Sequence, residues 1–137
     1  MIAPYYADEH VQLFLGDARE LMPQVVSEPC TVITDPPYGD TSLDWDRWPA
    51  GWVEAVSALN AAQLWSFGSF RMWMDRAHEF RDNGWTYAQE IVWEKHNGSG
   101  FAADRFKRVH ELAVHWYRGP WSDLAVEPQF VAEATAR

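Results

Sequence analysis

Apolar positions along this chain fall into two alternating periods. Val11–Leu15, Ala61–Phe67, Trp85–Trp93 and Val109–Tyr117 are short runs with the spacing of half-buried strands, and Val32–Thr34 is a β-branched run that reads as the end of a buried one. Between them the spacing changes to that of helices. Asp17 is placed to cap a helix through Arg19, Glu20, Leu21 and Met22 towards Val25 and Val26, weakened at Pro23. Pro49 can open a helix with Trp52, Val53, Val56 and Leu59 on one face. Phe70–Arg81 predicts another, with Phe70, Trp73, Met74, Ala77 and Phe80 turned inward and Asn83-Gly84 as its stop. Met1–His10 is an irregular lead-in, and His96–Lys107 a connection rich in glycine and charge. The order β-α-β-α-β-α-β-β predicts an α/β sheet with helices on both faces and a final antiparallel strand. Residues 1–120 form the organised region, and 121–137 a weakly ordered tail.

One stretch breaks the pattern. Val32-Ile33-Thr34 runs straight into Asp35-Pro36-Pro37-Tyr38. Each proline lacks an amide N–H, holds φ near about −65° and pushes the residue before it into an extended conformation. The result is a stiff, non-repeating backbone at the carboxyl end of a strand, where ligands bind in open α/β sheets. An acid, a free carbonyl and an aromatic ring in succession suit a flat heteroaromatic amine. Its N–H groups can be accepted by the Asp35 carboxylate and the Pro36 carbonyl while its face lies on Tyr38. The plainer alternative is a Pro-Pro turn beside a solvated acid.

Composition narrows the field. With 137 residues, 47% hydrophobic and 15% aromatic, the chain suffices for one small globular core. No apolar run approaches the length of a membrane span. The lone Cys30 allows no internal disulfide and fits a reducing compartment; burial is its expected state. A net charge of −9 argues against coating nucleic acid by charge alone. The acids concentrate in residues 1–60, however, and Lys95, Arg105, Lys107, Arg108 and Arg118 cluster against only Asp104 and Glu111. Any nucleic-acid contact falls on that segment.

Asp35-Pro36-Pro37-Tyr38 resembles the D-P-P-Y motif of S-adenosylmethionine-dependent DNA amino-methyltransferases, which act on adenine N6 or cytosine N4 of a flipped base. Other stretches match the same family in the same order: Leu15-Gly16-Asp17-Ala18 before the motif, Trp45-Asp46 after it, then Phe67-Gly68-Ser69, Ile91-Val92-Trp93-Glu94-Lys95 and His110–Tyr117. The resemblance spans residues 13–118. It implies a partial Rossmann-like methyltransferase sheet, with Asp35, Pro36, Pro37 and Tyr38 catalytic, and with Asp17, Ala18 and Asp35 holding S-adenosylmethionine. It further implies double-stranded DNA as partner, with Lys95, Arg105, Lys107 and Arg108 as candidate phosphate contacts. An aspartate at the first motif position leans towards adenine N6; N4-cytosine methylation, or a non-catalytic binding module on the same scaffold, are the alternatives. Such an enzyme belongs to a bacterial or phage-infected cytoplasm, often beside a restriction partner.

The departure lies in what is missing. The family's Gly-rich donor loop has no counterpart here, and two strands that should separate Val11–Leu15 from Val32–Thr34 are absent. The expectation is a catalytic portion whose remainder comes from further chain or from a partner. Rival chemistries find little footing. His110-Glu111 and His115 miss the H-E-x-x-H spacing by one residue, no metal site is expected, and no phosphate loop or nucleophile elbow occurs.

Overall fold

A computed structural model describes residues 2–27, 29–99 and 103–124. Four strands form the main sheet: β3 (Cys30–Thr34), β4 (Ala61–Gly68), β5 (Thr86–Ser99) and β6 (Arg108–Tyr117), in the order β3-β4-β6-β5. β3 and β4 run parallel, and β6 lies antiparallel to both β4 and β5. The parallel pair is joined through α2 (Trp52–Ser57), and α3 (Phe70–Asp82) links β4 to β5. The α/β class and the antiparallel final strand are as the pattern predicts.

Register explains where the core sits. Val32, Leu64 and Trp116 are cross-strand partners and share one face. Against it pack Trp52, Val53 and Val56 of α2 and Met72, Trp73 and Phe80 of α3, with Met22 of α1 (Ala18–Val25) at the margin. Phe80 stacks on Trp116 at 4.8 Å, and Trp73 lies 5.1 Å from Phe80. Truncating a buried ring of this kind costs about 3–5 kcal/mol. Ser69 caps α3 by accepting from the Met72 amide at 3.1 Å. A Cβ on Gly68 would meet the Met72 methyl and the Trp73 indole nitrogen, at 1.9 and 2.7 Å, so any larger residue at this strand-to-helix turn would force both side chains to repack.

Three expectations are corrected. Val11–Leu15 does not enter the main sheet: only Gln12–Leu13 (β2) is extended, paired with Tyr6–Ala7 (β1) in a separate two-stranded hairpin, so the lead-in is not wholly irregular. Alternation there has no sheet neighbour to satisfy, and its apolar side chains stay exposed. Phe70 and Met74 are not inward; they are 62% and 73% exposed, because the cap at Ser69 sets α3 so that Met72, Trp73 and Phe80 meet the sheet. Finally, among the described residues the helices pack against one face only. The other face carries Ile33, Trp65, Phe67, Ile91 and Trp93, and is partly covered at His115 and Tyr117 by Trp121 of a short 3₁₀ turn (Trp121–Asp123). The strand β5 also extends through His96 to Ser99, into what the pattern predicts as a connection. The rest of the expected tail, from residue 125, lies outside the described residues.

Candidate active site

β3 stops at Thr34 because the two prolines that follow Asp35 cannot donate to a ladder. Pro36 is buried and anchors the turn, Asp35 is exposed at its tip, and Tyr38 is half-buried against the core. The Tyr38 hydroxyl donates to Asp35 Oδ1 at 2.7 Å. Burial pushes the Tyr38 phenol far above its ordinary range, and the carboxylates of Asp35 and Glu111 push it further. It is therefore a neutral hydrogen-bond donor at any physiological pH.

Asp35, Pro36 and Pro37 line two clefts at once. The first, about 440 Å³, is completed by Asp17, Ala18 and Met22 of the α1 end and by Trp52 and Val56 of α2. The second, about 410 Å³, is completed by Tyr38, Trp45, Lys95, Arg108 and Glu111. A smaller space of about 280 Å³ adjoins it, lined by Phe67 and Trp93 with Asp35, Lys95 and Glu111. The proline-stiffened turn is thus a partition, with Asp35 in the lining on either side.

Each wall has its own fastening. Asp17 caps α1, accepting from the Arg19 amide at 2.9 Å, and is clasped by the Arg19 guanidinium. That side chain, then the amide, pulls the Asp17 carboxyl down to about 2. Arg19 reaches across to the Ala50 carbonyl at 2.8 Å, tying the α1 end to the start of α2. On the other wall, buried Asp46 holds the loop after Tyr38. It accepts from the Gly39 amide at 2.8 Å and from the Thr41 amide and hydroxyl, both at 2.7 Å. Burial raises the Asp46 carboxyl, but these hydrogen bonds outweigh it and the net shift is downward. Arg108 pairs with Asp40 at 2.6 Å and fixes the same loop to β6.

The structure brings Asp17, Ala18, Asp35, Pro36 and Pro37 together at the first cleft, and Tyr38 joins Asp35, Pro36 and Pro37 at the second. The four basic candidates divide. Lys95 is recessed in the second cleft, paired with Glu111 at 2.6 Å, and Arg108 is held by Asp40 at its rim. Among the described residues Arg105 pairs with its neighbour Asp104 at 2.9 Å on the surface, and Lys107 is exposed. Arg19, Asp40 and Glu111 enter the site without having been singled out by pattern. Glu111 had a signal, since it lies in the matched His110–Tyr117 stretch; the reach of Arg19 and Asp40 had none. No group of three His, Cys, Asp or Glu side chains able to share a metal ion occurs among the described residues, and no described helix is long and apolar enough to cross a membrane.

No family model and no curated protein matches the chain. Solved structures do. M1.HpyAVI in complex with SAM aligns over 83% of this chain and 60% of its own, at 19% identity and a TM-score of 0.52. M1.HpyAVI alone aligns over 74% of this chain and 52% of its own, at 19% identity and 0.51. PH1948 from Pyrococcus horikoshii, a candidate RNA methyltransferase, aligns over 78% of this chain and 50% of its own, at 13% identity and 0.51. These likenesses establish a methyltransferase-type α/β fold, of which the chain spans 50–60% of the solved neighbours' length.

Proposed function

We propose that this chain is the catalytic portion of a methyltransferase that moves a methyl group from S-adenosylmethionine to the exocyclic amine of a flipped DNA base, adenine N6 foremost. One observation carries the reading: Asp35, Pro36 and Pro37 stand between two clefts, so a donor and an acceptor can meet at one carboxylate. The likeness to a structure solved with SAM supports the choice of donor.

The first cleft suits the donor chemically. Asp17 offers a carboxylate for hydroxyls, Met22, Trp52 and Val56 offer apolar walls, and Ala18 lets the α1 end approach closely. When bound, S-adenosylmethionine supplies an electrophilic sulfonium methyl. The chain's own residues do the rest. Tyr38 and Trp45 offer faces on which the base stacks. Asp35 and the Pro36 carbonyl each accept one amine hydrogen, which localises the nitrogen lone pair and orients it towards the first cleft. As positive charge grows on that nitrogen, the same two acceptors stabilise it. Asp35 needs no strong basicity, because the amine proton becomes acidic only as the new N–C bond forms; the donor would leave as the neutral thioether when its S–methyl bond breaks, and the proton passes by way of the exposed Asp35 carboxylate to solvent. Arg105 and Lys107, on the outer surface, are the phosphate contacts of this reading.

Because the chain spans about half of the solved neighbours, the first cleft is completed by further polypeptide, from the same chain or from a partner. The isolated chain is then expected to bind S-adenosylmethionine weakly or not at all. The test is methyl transfer by the full assembly with isotopically labelled donor, using DNA and RNA in parallel, followed by nucleoside analysis. N6-methyladenine in DNA is the expected product. N4-methylcytosine, or label confined to RNA, would reassign the acceptor, and no transfer to either would refute the proposal.

A further inference from the structure

The ion pair Lys95–Glu111 sits in the second cleft. Its members project from β5 and β6, with Nζ 2.6 Å from Glu111 Oε1, and both line the second cleft and the adjoining space floored by Phe67 and Trp93. Asp35 lines the same two spaces. The side chains keep 35% and 19% of their surface exposed, so both charges remain reachable from the cleft. A phosphate contact is a poor fit, since Glu111 stands against the ammonium and would repel a phosphate. An ammonium has three N–H donors, and among the described residues Lys95 donates only to Glu111. Two donors remain for whatever enters the cleft.

We propose that Lys95, held in place by Glu111, is a specificity-determining residue that donates a hydrogen bond to the ring nitrogen beside the substrate's exocyclic amine. This rests on the second cleft being the base site. An amine next to an unprotonated ring nitrogen, an amidine edge, presents donor and acceptor side by side: N6 and N1 in adenine, N4 and N3 in cytosine. Asp35 and Lys95 present the complementary acceptor and donor. The Tyr38 hydroxyl occupies Asp35 Oδ1, which leaves Oδ2 for the amine. Thymine, uracil and the corresponding edge of guanine carry a carbonyl and a ring N–H in the reverse order. Their carbonyl would face the Asp35 carboxylate and their N–H the ammonium, so each mismatched edge leaves two recessed polar groups opposed. The pair therefore selects amidine-bearing bases before any chemistry occurs.

The proposal can be tested on the chain as it stands, without methyl transfer. Ligand-observed NMR titrations would compare 9-methyladenine with its 1-deaza analogue, which lacks the ring nitrogen, on the parent chain and on Lys95→Met. Removing the nitrogen or removing the ammonium should each weaken binding by about tenfold, one hydrogen bond's worth. Doing both should weaken it no more than either alone. Glu111→Gln, which keeps a hydrogen bond to Lys95 but loses the charge, should give an intermediate loss; circular dichroism would check that each variant folds. Equal affinity of the parent chain for the two ligands, independent multiplying losses, or no binding of 9-methyladenine would each overturn the inference. Base binding by an assembly that transfers no methyl group would sink the functional reading and leave this one standing. Methyl transfer indifferent to the ring nitrogen would do the reverse.

Discussion

At the scale of single residues, the site and the core hold one unusual side chain each. In the site it is Tyr38, whose hydroxyl is spent on Asp35. Tyr38→Phe keeps the ring and removes that bond, so transfer should persist with a changed substrate KM, whereas Tyr38→Ala removes the stacking face and should lower transfer severely. Steady-state kinetics on both variants would separate the two roles. In the sheet it is His115, fully buried, stacked on Trp65 at 4.2 Å, with neither ring nitrogen hydrogen-bonded among the described residues. Burial lowers its pKa, so the folded chain keeps it neutral. The unfolded chain takes up that proton first as pH falls through the ordinary value of about 6.5. Stability should thus be full above that pH and decline below it, down to the folded pKa. His115→Phe, which keeps a flat ring, should remove this part of the slope in urea titrations between pH 5 and 7. An unchanged slope would show that His115 is not its source. The placing of Asp35, Pro36, Pro37 and Tyr38 in one turn after β3 was legible because they are adjacent in sequence and the prolines end the strand. Glu111 meets Lys95 only through the register of β5 on β6, which no local pattern fixes.

At the scale of elements, the loop after Tyr38 is the piece with the most at stake. Three hydrogen bonds converge on the buried Asp46 carboxylate, and Arg47 caps the Leu43 carbonyl at 2.8 Å. Asp46→Ala would strip the Gly39 and Thr41 amides of their acceptor and should cost about 2 kcal/mol or more. Its depressed pKa means this stabilisation is present above the ordinary carboxylate value and is lost as pH falls through the folded one. Acid titration followed by tryptophan fluorescence, parent against variant, would measure both. α2 ends on a second such fastening. Arg118 donates to the carbonyls of Ser57, Leu59 and Ala61 while its guanidinium lies 4.0 Å over the Trp85 ring. Helices and strands were legible wherever an apolar period met a stop signal, as at Gly68-Ser69 and Asn83-Gly84. Val11–Leu15 misled because strand character there depends on a neighbour, and none of the described strands of the main sheet lies beside it.

At the scale of the whole molecule, the main sheet ends on an open edge among the described residues. β3 is an edge strand in parallel pairing, with Ile33 71% exposed at its centre, and the face it shares with Trp65, Phe67, Ile91 and Trp93 has little cover among the described residues. A free edge beside apolar side chains promotes association. The isolated chain should therefore self-associate with rising concentration, and Ile33→Lys should reduce this in sedimentation velocity runs; identical behaviour of parent and variant would place the association elsewhere. The fold class could be read from the order of elements. That the helices fall on one face could not, because strand alternation marks two buried faces without saying what covers each.

The central claim concerns the carboxylate between the two clefts, and Asp35→Ala in the full assembly tests it directly, with donor binding and methyl transfer measured on the same preparation. The account predicts that the donor still binds, with reduced affinity because Asp35 lines its cleft, and that transfer at saturating donor falls by about a hundredfold or more, the scale of losing one preorganised transition-state contact. Transfer at the parent rate would contradict it.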